Sequence, residues 1–235
     1  MVSIQNLHKK FNKNVVLSGV DLAIKDGGIF AVLGPNGSGK TTLIKSILGM
    51  VIPNKGDISV LGKSIKNNST YRHKIDYLPQ IANFPSNLKV KELIKMIKDL
   101  RGKTNEDQHL IDLFKLDPFL DKKLGNLSGG TKQKVNIVLT FMFDSPLIIL
   151  DEPTTGLDPI SLIRLKDLIQ SEKAKGKTIL ITSHIMSFVE EVSDEIVFLL
   201  EGKIYFKGSI SELKTKTNQP DFEHAIASIL TENHA

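Results

Sequence analysis

The chain has 235 residues, of which 40% are hydrophobic and 24% are charged, enough for one substantial core. It contains no cysteine, which excludes disulfides, thiolate metal sites and cysteine nucleophiles. The net charge of +5 is compatible with anionic partners, although solvated surface lysines are its simplest explanation. We expect no signal peptide, because the N-terminal segment lacks an apolar run. We expect no transmembrane helix, because the longest apolar runs have strand length.

The first third of the chain consists of short β segments and turns. Residues 2–7 and 15–24 predict strands separated by polar turns, as in antiparallel hairpins. The run IFAVL at 29–33 is continuously apolar, which predicts a strand covered on both faces. A glycine-rich stretch then leads into a predicted helix from Thr41, and residues 56–65 predict another hairpin.

From about residue 87 the pattern changes from strands to helices. Apolar residues recur at helical intervals over 88–102, 106–116 and 134–143, which predicts a helical subdomain. Strand and helix segments then alternate up to residue 210, a pattern typical of a parallel sheet, and a short pair of helices is expected after Ser209.

The sequence GPNGSGKTT fits the pattern G-x-x-x-x-G-K-[ST] and lies between a predicted strand and a predicted helix. Consecutive backbone N–H groups at a helix N-terminus form an anion cradle, and glycine lets the backbone approach a phosphate closely. Lys40 is expected to reach the β- and γ-phosphates of ATP, and the Thr41 hydroxyl to bind Mg²⁺. We therefore predict a nucleotide-binding loop, the P-loop. Its residues are Gly34, Pro35, Asn36, Gly37, Ser38, Gly39, Lys40, Thr41 and Thr42.

The P-loop, with the alternation of strands and helices, predicts the fold. We expect an α/β protein: a P-loop NTPase core with a mostly parallel sheet, an N-terminal antiparallel β subdomain and a helical subdomain. The whole chain is interpreted as a single domain. Its predicted parts are the β subdomain with the P-loop portion of the core (1–86), the helical subdomain (87–142), the rest of the core (143–210) and a C-terminal helical tail (211–235).

Two acids end the apolar strand predicted within LIILDEP, at 147–153. A strand that ends in this way directs both carboxylates to the mouth of a parallel sheet. Asp151 is expected to hold Mg²⁺, directly or through water, and Glu152 to polarise the water that attacks the γ-phosphate. Solvated acids that merely cap a strand are the alternative, which a P-loop upstream disfavours.

A third motif, NLSGGTKQK at 126–134, places a serine and two glycines at the start of a predicted helix. Backbone N–H groups at that end favour an anion. A serine N-cap followed by turn glycines is the simpler interpretation. That interpretation accounts for Ser128 but gives no reason for Gly129 and Gly130 together.

Taken in order, these motifs resemble the ATP-binding subunit of an ABC transporter. The order is the P-loop, then YLPQ, LSGG, LIILDEP, TTGLDP and ITSH, and the resemblance covers residues 2–210. LSGG followed closely by the acidic strand distinguishes this family from other P-loop ATPases. The resemblance implies roles for three further residues: Phe11 would stack on adenine, Gln80 would sense Mg²⁺ and the attacking water, and His184 would contact the γ-phosphate.

The resemblance also implies a composite site. Ser128, Gly129 and Gly130 would contact the γ-phosphate of ATP held by the opposite subunit. Asp158 would shape the dimer seam in addition to serving as a helix N-cap. The implied catalytic residues are Lys40, Glu152 and His184, and the implied Mg²⁺ ligands are Thr41, Gln80 and Asp151.

Three positions depart from the family pattern. Thr131 stands where glutamine is frequent, Lys134 where arginine is common, and Gly28 where glutamate is usual. The central SGG is intact, so an active site is expected. Thr131 mainly bears on the strength of the contact between subunits.

The implied function is Mg²⁺-dependent ATP hydrolysis coupled to transport. Two copies, identical or homologous, would close head to tail on two ATP molecules and drive a separately encoded transmembrane permease. The subunit would be peripheral, at the cytoplasmic face of the cell membrane. Within the family the chain looks most like drug, antibiotic and copper-maturation exporter subunits, which implies export. The cargo is not encoded, because this subunit does not touch it.

Two other functions were weighed. A soluble ABC-type ATPase acting on nucleic acid or ribosomes fits the net charge. However, the interval between P-loop and LSGG has no heptad run and no cysteine pair, and the chain holds one cassette. Nucleic acid is therefore not expected as a partner. A nucleotide-binding module without catalysis would not need Glu152 and His184, which are both present.

Overall fold

A computed structural model describes residues 1–102 and 107–232. The predicted strands and helices are present, but parts of two predictions, residue 106 and residues 233–235, lie outside the described residues. The strands are β1 (Val2–Phe11), β2 (Asn14–Ile24), β3 (Gly28–Leu33), β4 (Lys55–Val60), β5 (Lys63–Ser64), β6 (Ile75–Leu78), β7 (Leu147–Asp151), β8 (Thr178–Thr182), β9 (Glu195–Leu200) and β10 (Lys203–Gly208). The helices are α1 (Lys40–Ile47), α2 (Val90–Arg101), α3 (Asp107–Leu113), α4 (Gly129–Phe141), α5 (Pro159–Ala174), α6 (Met186–Val192), α7 (Ile210–Thr217) and α8 (Phe222–Glu232).

Two β-sheets form the framework of the molecule. One is antiparallel, with the strand order β2-β1-β4-β5. The other has the order β10-β9-β3-β8-β7-β6 and is parallel except for β10, which runs antiparallel to β9. The predicted α/β fold with a mostly parallel sheet and an N-terminal antiparallel sheet is confirmed. The division into subdomains at residues 86, 142 and 210 stays a prediction.

The central strand β3 is buried on both faces, as its continuous apolar run predicts. Ile29, Ala31 and Leu33 pack into the core shared with the helices, whereas Phe30 and Val32 pack into the core under α1 and the antiparallel sheet. Alternate side chains of a strand point to opposite faces, so every residue of this strand needs to be apolar.

The parallel sheet brings the predicted motifs to one edge. β3, β8, β7 and β6 are neighbours in that order and run in the same direction. The segments after their carboxyl ends are the P-loop, the ITSH segment, the acidic pair and the YLPQ segment respectively. Four motifs spread over 150 residues of sequence are therefore adjacent in the fold, at the edge where open α/β sheets bind ligands.

The sequence pattern does not predict β6, because this strand has four residues and a carboxylate interrupts its apolar run. The Asp76 side chain is completely buried and accepts hydrogen bonds from Arg101 Nη1 at 2.5 Å and Ser145 N at 3.2 Å. Burial raises the pKa of Asp76, and the Arg101 charge opposes that rise. The Arg101 guanidinium also lies 4.3 Å from the centroid of the Phe143 ring. Arg101 thus joins the end of α2 to the edge strand.

Over residues 1–102 and 107–232, no helix combines the length and the apolar character that a bilayer span requires.

We predict that Arg101→Met destabilises the protein by about 3–5 kcal/mol, because it leaves a buried carboxylate without a counter-ion. The additional change Asp76→Asn should restore most of that loss. The free energy of unfolding in urea measures both effects. Lys91→Met is the matched control, since its partner Asp121 is exposed, and it should leave the stability almost unchanged. Equal losses for the two single variants would contradict this account of β6.

Candidate functional site

The glycines of the P-loop are held in conformations that suit glycine. Gly34, Gly37 and Gly39 have φ values of +148°, +83° and +107°. A Cβ on Gly34 would lie 2.0 Å from the carbonyl oxygen of Leu199, and one on Gly39 would lie 2.8 Å from another carbonyl oxygen. A Cβ on Gly37 would meet no atom within 4 Å. Packing therefore requires glycine at two of the three positions, and the third faces open space.

The first turn of α1 leaves its backbone N–H groups available to an anion. Gly39 occupies the N-cap position without a capping side chain, and the first turn contains no acidic residue. Pro35, Asn36 and Gly37 are exposed at the crest of the loop, whereas Ser38 is buried. Among the described residues, the buried Ser38 Oγ has no hydrogen-bond partner. A loop of this form fits the phosphates of a nucleotide.

The side chain of Lys40 reaches back over the first residues of the P-loop. Its Nζ donates hydrogen bonds to the carbonyl oxygens of Gly34 at 2.6 Å and Pro35 at 3.0 Å. Burial lowers the pKa of Lys40, and the charges of Glu152 and Asp151 oppose that shift. Both carboxylates therefore lie within electrostatic reach of the ammonium group, and the end of β7 converges on the P-loop.

A threonine on the neighbouring strand fixes the acidic pair. Asp151 is the last residue of β7 and lies beside Thr182 of β8, whose Oγ1 donates to Asp151 Oδ1 at 2.5 Å. The backbone N–H of Glu152 is shared between Thr182 Oγ1 and its carbonyl oxygen, both at 3.1 Å. Glu152 has φ +51°, a left-handed conformation that costs a non-glycine residue on the order of 1 kcal/mol.

His184 contacts Glu152 from the solvent side. Its Nδ1 lies 2.8 Å from Glu152 Oε2, and its side chain is 67% exposed while that of Glu152 is 9% exposed. A buried carboxylate thus meets an exposed imidazole at the same edge of the sheet. Such a pair can orient a water molecule beside a bound substrate and take part in proton transfer to or from it.

The three predicted Mg²⁺ ligands, Thr41, Gln80 and Asp151, line one cleft of about 700 Å³. Gln80 is exposed and follows Pro79, whose carbonyl accepts a hydrogen bond from Asn136 Nδ2 at 3.1 Å. Within the described residues, no group of three or more His, Cys, Asp or Glu is arranged as a metal site. One carboxylate, one hydroxyl and one amide suit Mg²⁺. This ion usually keeps several waters and takes its other ligands from the phosphates of the substrate.

The LSGG segment ends in an exposed helix tip, which we define as Ser128–Gly130. Ser128 Oγ accepts from Thr131 N at 3.3 Å and lies 2.9 Å from Thr131 Oγ1, so the predicted N-cap is present. A Cβ on Gly130 would lie 2.5 Å from the carbonyl oxygen of Gly156, but a Cβ on Gly129 would meet nothing within 4 Å. Packing within the chain explains Gly130 and leaves Gly129 unexplained.

Asp158 caps α5 and joins that helix to α4. It accepts hydrogen bonds from Ser161 N at 2.9 Å and Ser161 Oγ at 2.8 Å, and Lys134 Nζ lies 2.7 Å from its Oδ2. The bond from Lys134, together with those from Ser161, holds the pKa of Asp158 below its usual range. Lysine thus forms an ion pair at the position where the family commonly has arginine.

Phe11 lies at the end of β1, in the hairpin that β1 forms with β2. Its side chain is 47% exposed, and Lys9 Nζ lies 4.7 Å from the centroid of its ring. The second strand of this hairpin is packed beside the P-loop, since Val16 and Leu17 are the residues nearest to Gly39. The ring is therefore partly open to a stacking partner, in a hairpin whose second strand packs beside the P-loop.

Two contributors to the site, Thr182 and Gln133, lie within the motifs ITSH and NLSGGTKQK but are given no role by the sequence pattern. Thr182 positions both acids, and Gln133 Nε2 donates to the carbonyl oxygen of Pro153 at 3.0 Å, which ties α4 to the segment after β7. Both side chains are buried. A threonine that ends an apolar strand, two residues before a predicted catalytic histidine, is the signal that could have identified Thr182.

Fold and site together define a P-loop ATPase, and comparison with known proteins identifies its family. The profile described as ABC transporter matches residues 17–155. The Nod factor export ATP-binding protein I of Burkholderia lata is 32% identical over 214 residues, which cover 88% of this chain and 70% of that protein. The lantibiotic transport ATP-binding protein SrtF of Streptococcus pyogenes is 36% identical over 213 residues, covering 87% of this chain and 89% of that protein.

A solved structure described as the ATP binding subunit of an ABC transporter superposes with a TM-score of 0.91 at 28% identity. The superposition covers 98% of this chain and 99% of that one. The chain therefore belongs to the ABC transporter family, as one of its ATP-binding subunits, and hydrolyses ATP.

Alanine substitution at two P-loop glycines separates backbone strain from packing. Gly37→Ala should cost about 1 kcal/mol of stability, because its φ is positive but its surroundings are open. Gly34→Ala should cost at least about 3 kcal/mol and weaken nucleotide binding by more than tenfold, because its Cβ would collide with the backbone at Leu199. Urea unfolding and titration with a fluorescent ATP analogue measure the two effects. Similar losses for both variants would contradict the packing argument.

Proposed function

We propose that two copies of this subunit, or one copy and a homologue, bind two ATP molecules between them in head-to-tail orientation. Each ATP lies on the P-loop of one copy and contacts the helix tip Ser128–Gly130 of the other. ATP then holds the dimer closed, and loss of the γ-phosphate releases it.

The observation that carries this proposal is the state of the helix tip. Ser128 and Gly129 are exposed, and a side chain on Gly129 would point into open space. Among the described residues, no hydrogen bond or ion pair connects this tip with residues 34–42. A second exposed helix N-terminus that makes no hydrogen bond to its own P-loop fits an anionic ligand held by another molecule.

The chain's own residues divide the work of hydrolysis as follows. Lys40 places a positive charge against the β- and γ-phosphates and stabilises the charge that develops during phosphoryl transfer. Glu152 accepts a proton from, or orients, the attacking water, and its buried position keeps it close to the phosphates. His184 contacts the γ-phosphate and, through its 2.8 Å contact, holds the Glu152 carboxylate in place. Phe11 stacks on the adenine, and Asp158 lies at the seam between the copies.

Thr41, Gln80 and Asp151 would hold Mg²⁺ in this site. The ion would supply positive charge that offsets the charge of the phosphates. Asp151 is preorganised for such a role, because Thr182 fixes one of its oxygens by a hydrogen bond at 2.5 Å. Gln80 lies on an exposed segment beside the helices, where it can report on the state of the site to a partner.

We further propose that this subunit drives a separately encoded transmembrane permease, from a peripheral position at the cytoplasmic face of the membrane, in the direction of export. The names of the two relatives support this, since they describe Nod factor export and lantibiotic transport. The predicted parts at 1–86 and 143–210 would serve as the nucleotide-binding core. The part at 87–142 would provide helices that face the partner, and 211–235 would be the tail.

The first test is Glu152→Gln. This change keeps the size of the side chain and the backbone hydrogen bonds but removes the carboxylate, so hydrolysis should fall by about 100-fold or more while ATP binding persists. The variant should accumulate as a dimer with ATP and Mg²⁺ in size-exclusion chromatography with light scattering. ADP serves as the control and should give monomer. A variant that stays monomeric with ATP at every protein concentration would contradict the composite site.

The second test mixes two inactive variants. Lys40→Ala removes the lysine of the P-loop, and Ser128→Arg blocks the helix tip, so each variant alone should form no working site. In a mixed dimer, one of the two sites combines the intact P-loop of the Ser128→Arg copy with the intact tip of the Lys40→Ala copy. Equimolar mixing should therefore restore about a quarter of the wild-type rate of phosphate release. No recovery, with both variants folded, would mean that each site lies within one chain.

A further inference from the structure

An exposed apolar loop joins α1 to β4. We define it as the Met50–Pro53 loop. The side chains of Met50 and Ile52 are 62% and 79% exposed. The backbone is nevertheless fixed, because the N–H groups of Met50 and Val51 donate to the carbonyl oxygen of Lys45 at 2.8 and 3.1 Å. A well-held loop that keeps two neighbouring large apolar side chains in water has the character of a contact surface.

Two cationic side chains donate hydrogen bonds to the backbone of this loop and of the two residues before it. Lys9 Nζ donates a hydrogen bond of 2.8 Å to the carbonyl oxygen of Ile52. Arg72 donates from Nε to the carbonyl oxygen of Leu48 at 2.9 Å and from Nη2 to that of Gly49 at 3.0 Å. The positive charges of Lys9 and Arg72 therefore lie beside the loop in the structure, although both residues are distant from it in sequence.

A hollow of about 670 Å³ opens next to the loop. Ile52 lines it together with Lys55, Lys66 and Arg72, and Asp57 is the acid among the described lining residues. Three cations against one acid give the hollow a net positive charge. A hollow of this kind favours an anionic group, and its apolar rim favours one that is joined to hydrocarbon.

The loop borders the cleft that carries Gln80. Met50 and Ile81 both line that cleft, and Ile81 is itself 72% exposed. The proposed function has Gln80 report to the membrane partner, and we therefore take the Gln80 end of this cleft to face that partner. The apolar loop and its cations therefore lie on the side of the subunit that approaches the bilayer. The inference rests on the proposed function for this orientation alone.

We propose that the Met50–Pro53 loop and its cations contact the anionic lipid surface beside the permease. Met50 and Ile52 would enter the interfacial region, and Lys55, Lys66 and Arg72 would pair with headgroup phosphates. A lipid surface suits this feature better than a protein partner does. Ile52 is 79% exposed at the rim of the hollow, and a fluid interface accepts such a side chain without a matching pocket.

The test is co-sedimentation of the full chain with protein-free vesicles. The wild type should bind vesicles of phosphatidylcholine and phosphatidylglycerol and bind pure phosphatidylcholine far less. Ile52→Ser should lower the partition coefficient roughly fivefold by removing an inserted side chain. Lys66→Gln should lower it by about fivefold at low salt, the loss expected for one cation near an anionic surface.

Matched controls come from exposed residues elsewhere in the chain. Ile163 on α5 is 57% exposed and Lys203 on β10 is exposed, so Ile163→Ser and Lys203→Gln make the same chemical changes away from the loop. Both controls should bind vesicles like the wild type. If Ile52→Ser and Ile163→Ser reduce binding equally, or if the wild type does not distinguish anionic from neutral vesicles, the proposal is overturned.

Two further readouts separate this proposal from the proposed function. Ile52→Ser and Lys66→Gln should keep the wild-type rate of ATP hydrolysis, because neither residue belongs to the nucleotide site. A composite ATP site can therefore be correct while the lipid contact is wrong. Binding to native membranes that depends on Ile52, without binding to protein-free anionic vesicles, would identify a protein as the occupant and overturn the lipid contact.

Discussion

The parallel alignment of four strands is the constraint on which the site depends. Hydrogen bonding fixes the register between β3, β8 and β7 so that their carboxyl ends lie within one residue of the same level, with Val32 and Asp151 both paired to Thr182. Segments distant in sequence are thereby delivered to the same edge. Because both faces of the sheet are packed, a one-residue slip would turn buried side chains to the wrong face and is excluded. The geometry of the nucleotide site is thus a consequence of core packing.

Hydrogen bonds from uncharged groups hold the interior of the site as much as ion pairs do. Thr182 contributes one hydroxyl that donates to Asp151 and accepts from the backbone of Glu152. This single side chain keeps one acid ordered and fixes the backbone of the other in a left-handed conformation. The strain at Glu152 persists because the bonds around it leave the backbone no alternative. A threonine can do this without adding charge next to two carboxylates.

Local patterns in the sequence account for most of the fold and for the identity of the motif residues. Apolar periodicity predicts the strands and helices, and the P-loop, LSGG and acidic strand indicate the family. Contacts between distant segments are what the sequence conceals. β6 is short and contains Asp76, whose burial makes sense only with Arg101 beside it. Likewise, Gly129 and Gly130 look equivalent in sequence. They differ in the structure because a Cβ on Gly130 would collide with Gly156, whereas one on Gly129 would meet open space.

The Arg101–Asp76 pair has a mechanical consequence for α2. This helix is 12 residues long, roughly 18 Å, and its last residue is anchored to the buried edge of the sheet by an ion pair that is costly to break. The first residues of α2 are bonded instead to the segment before LSGG, since the N–H groups of Val90 and Lys91 donate to the carbonyl oxygens of Lys122 and Leu120, so that segment would move with them. If α2 tilts against the sheet, Arg101 is the pivot and the largest displacement falls at Val90. The segment between Gln80 and Val90 is then the part of the chain that must lengthen or fold to follow the swing.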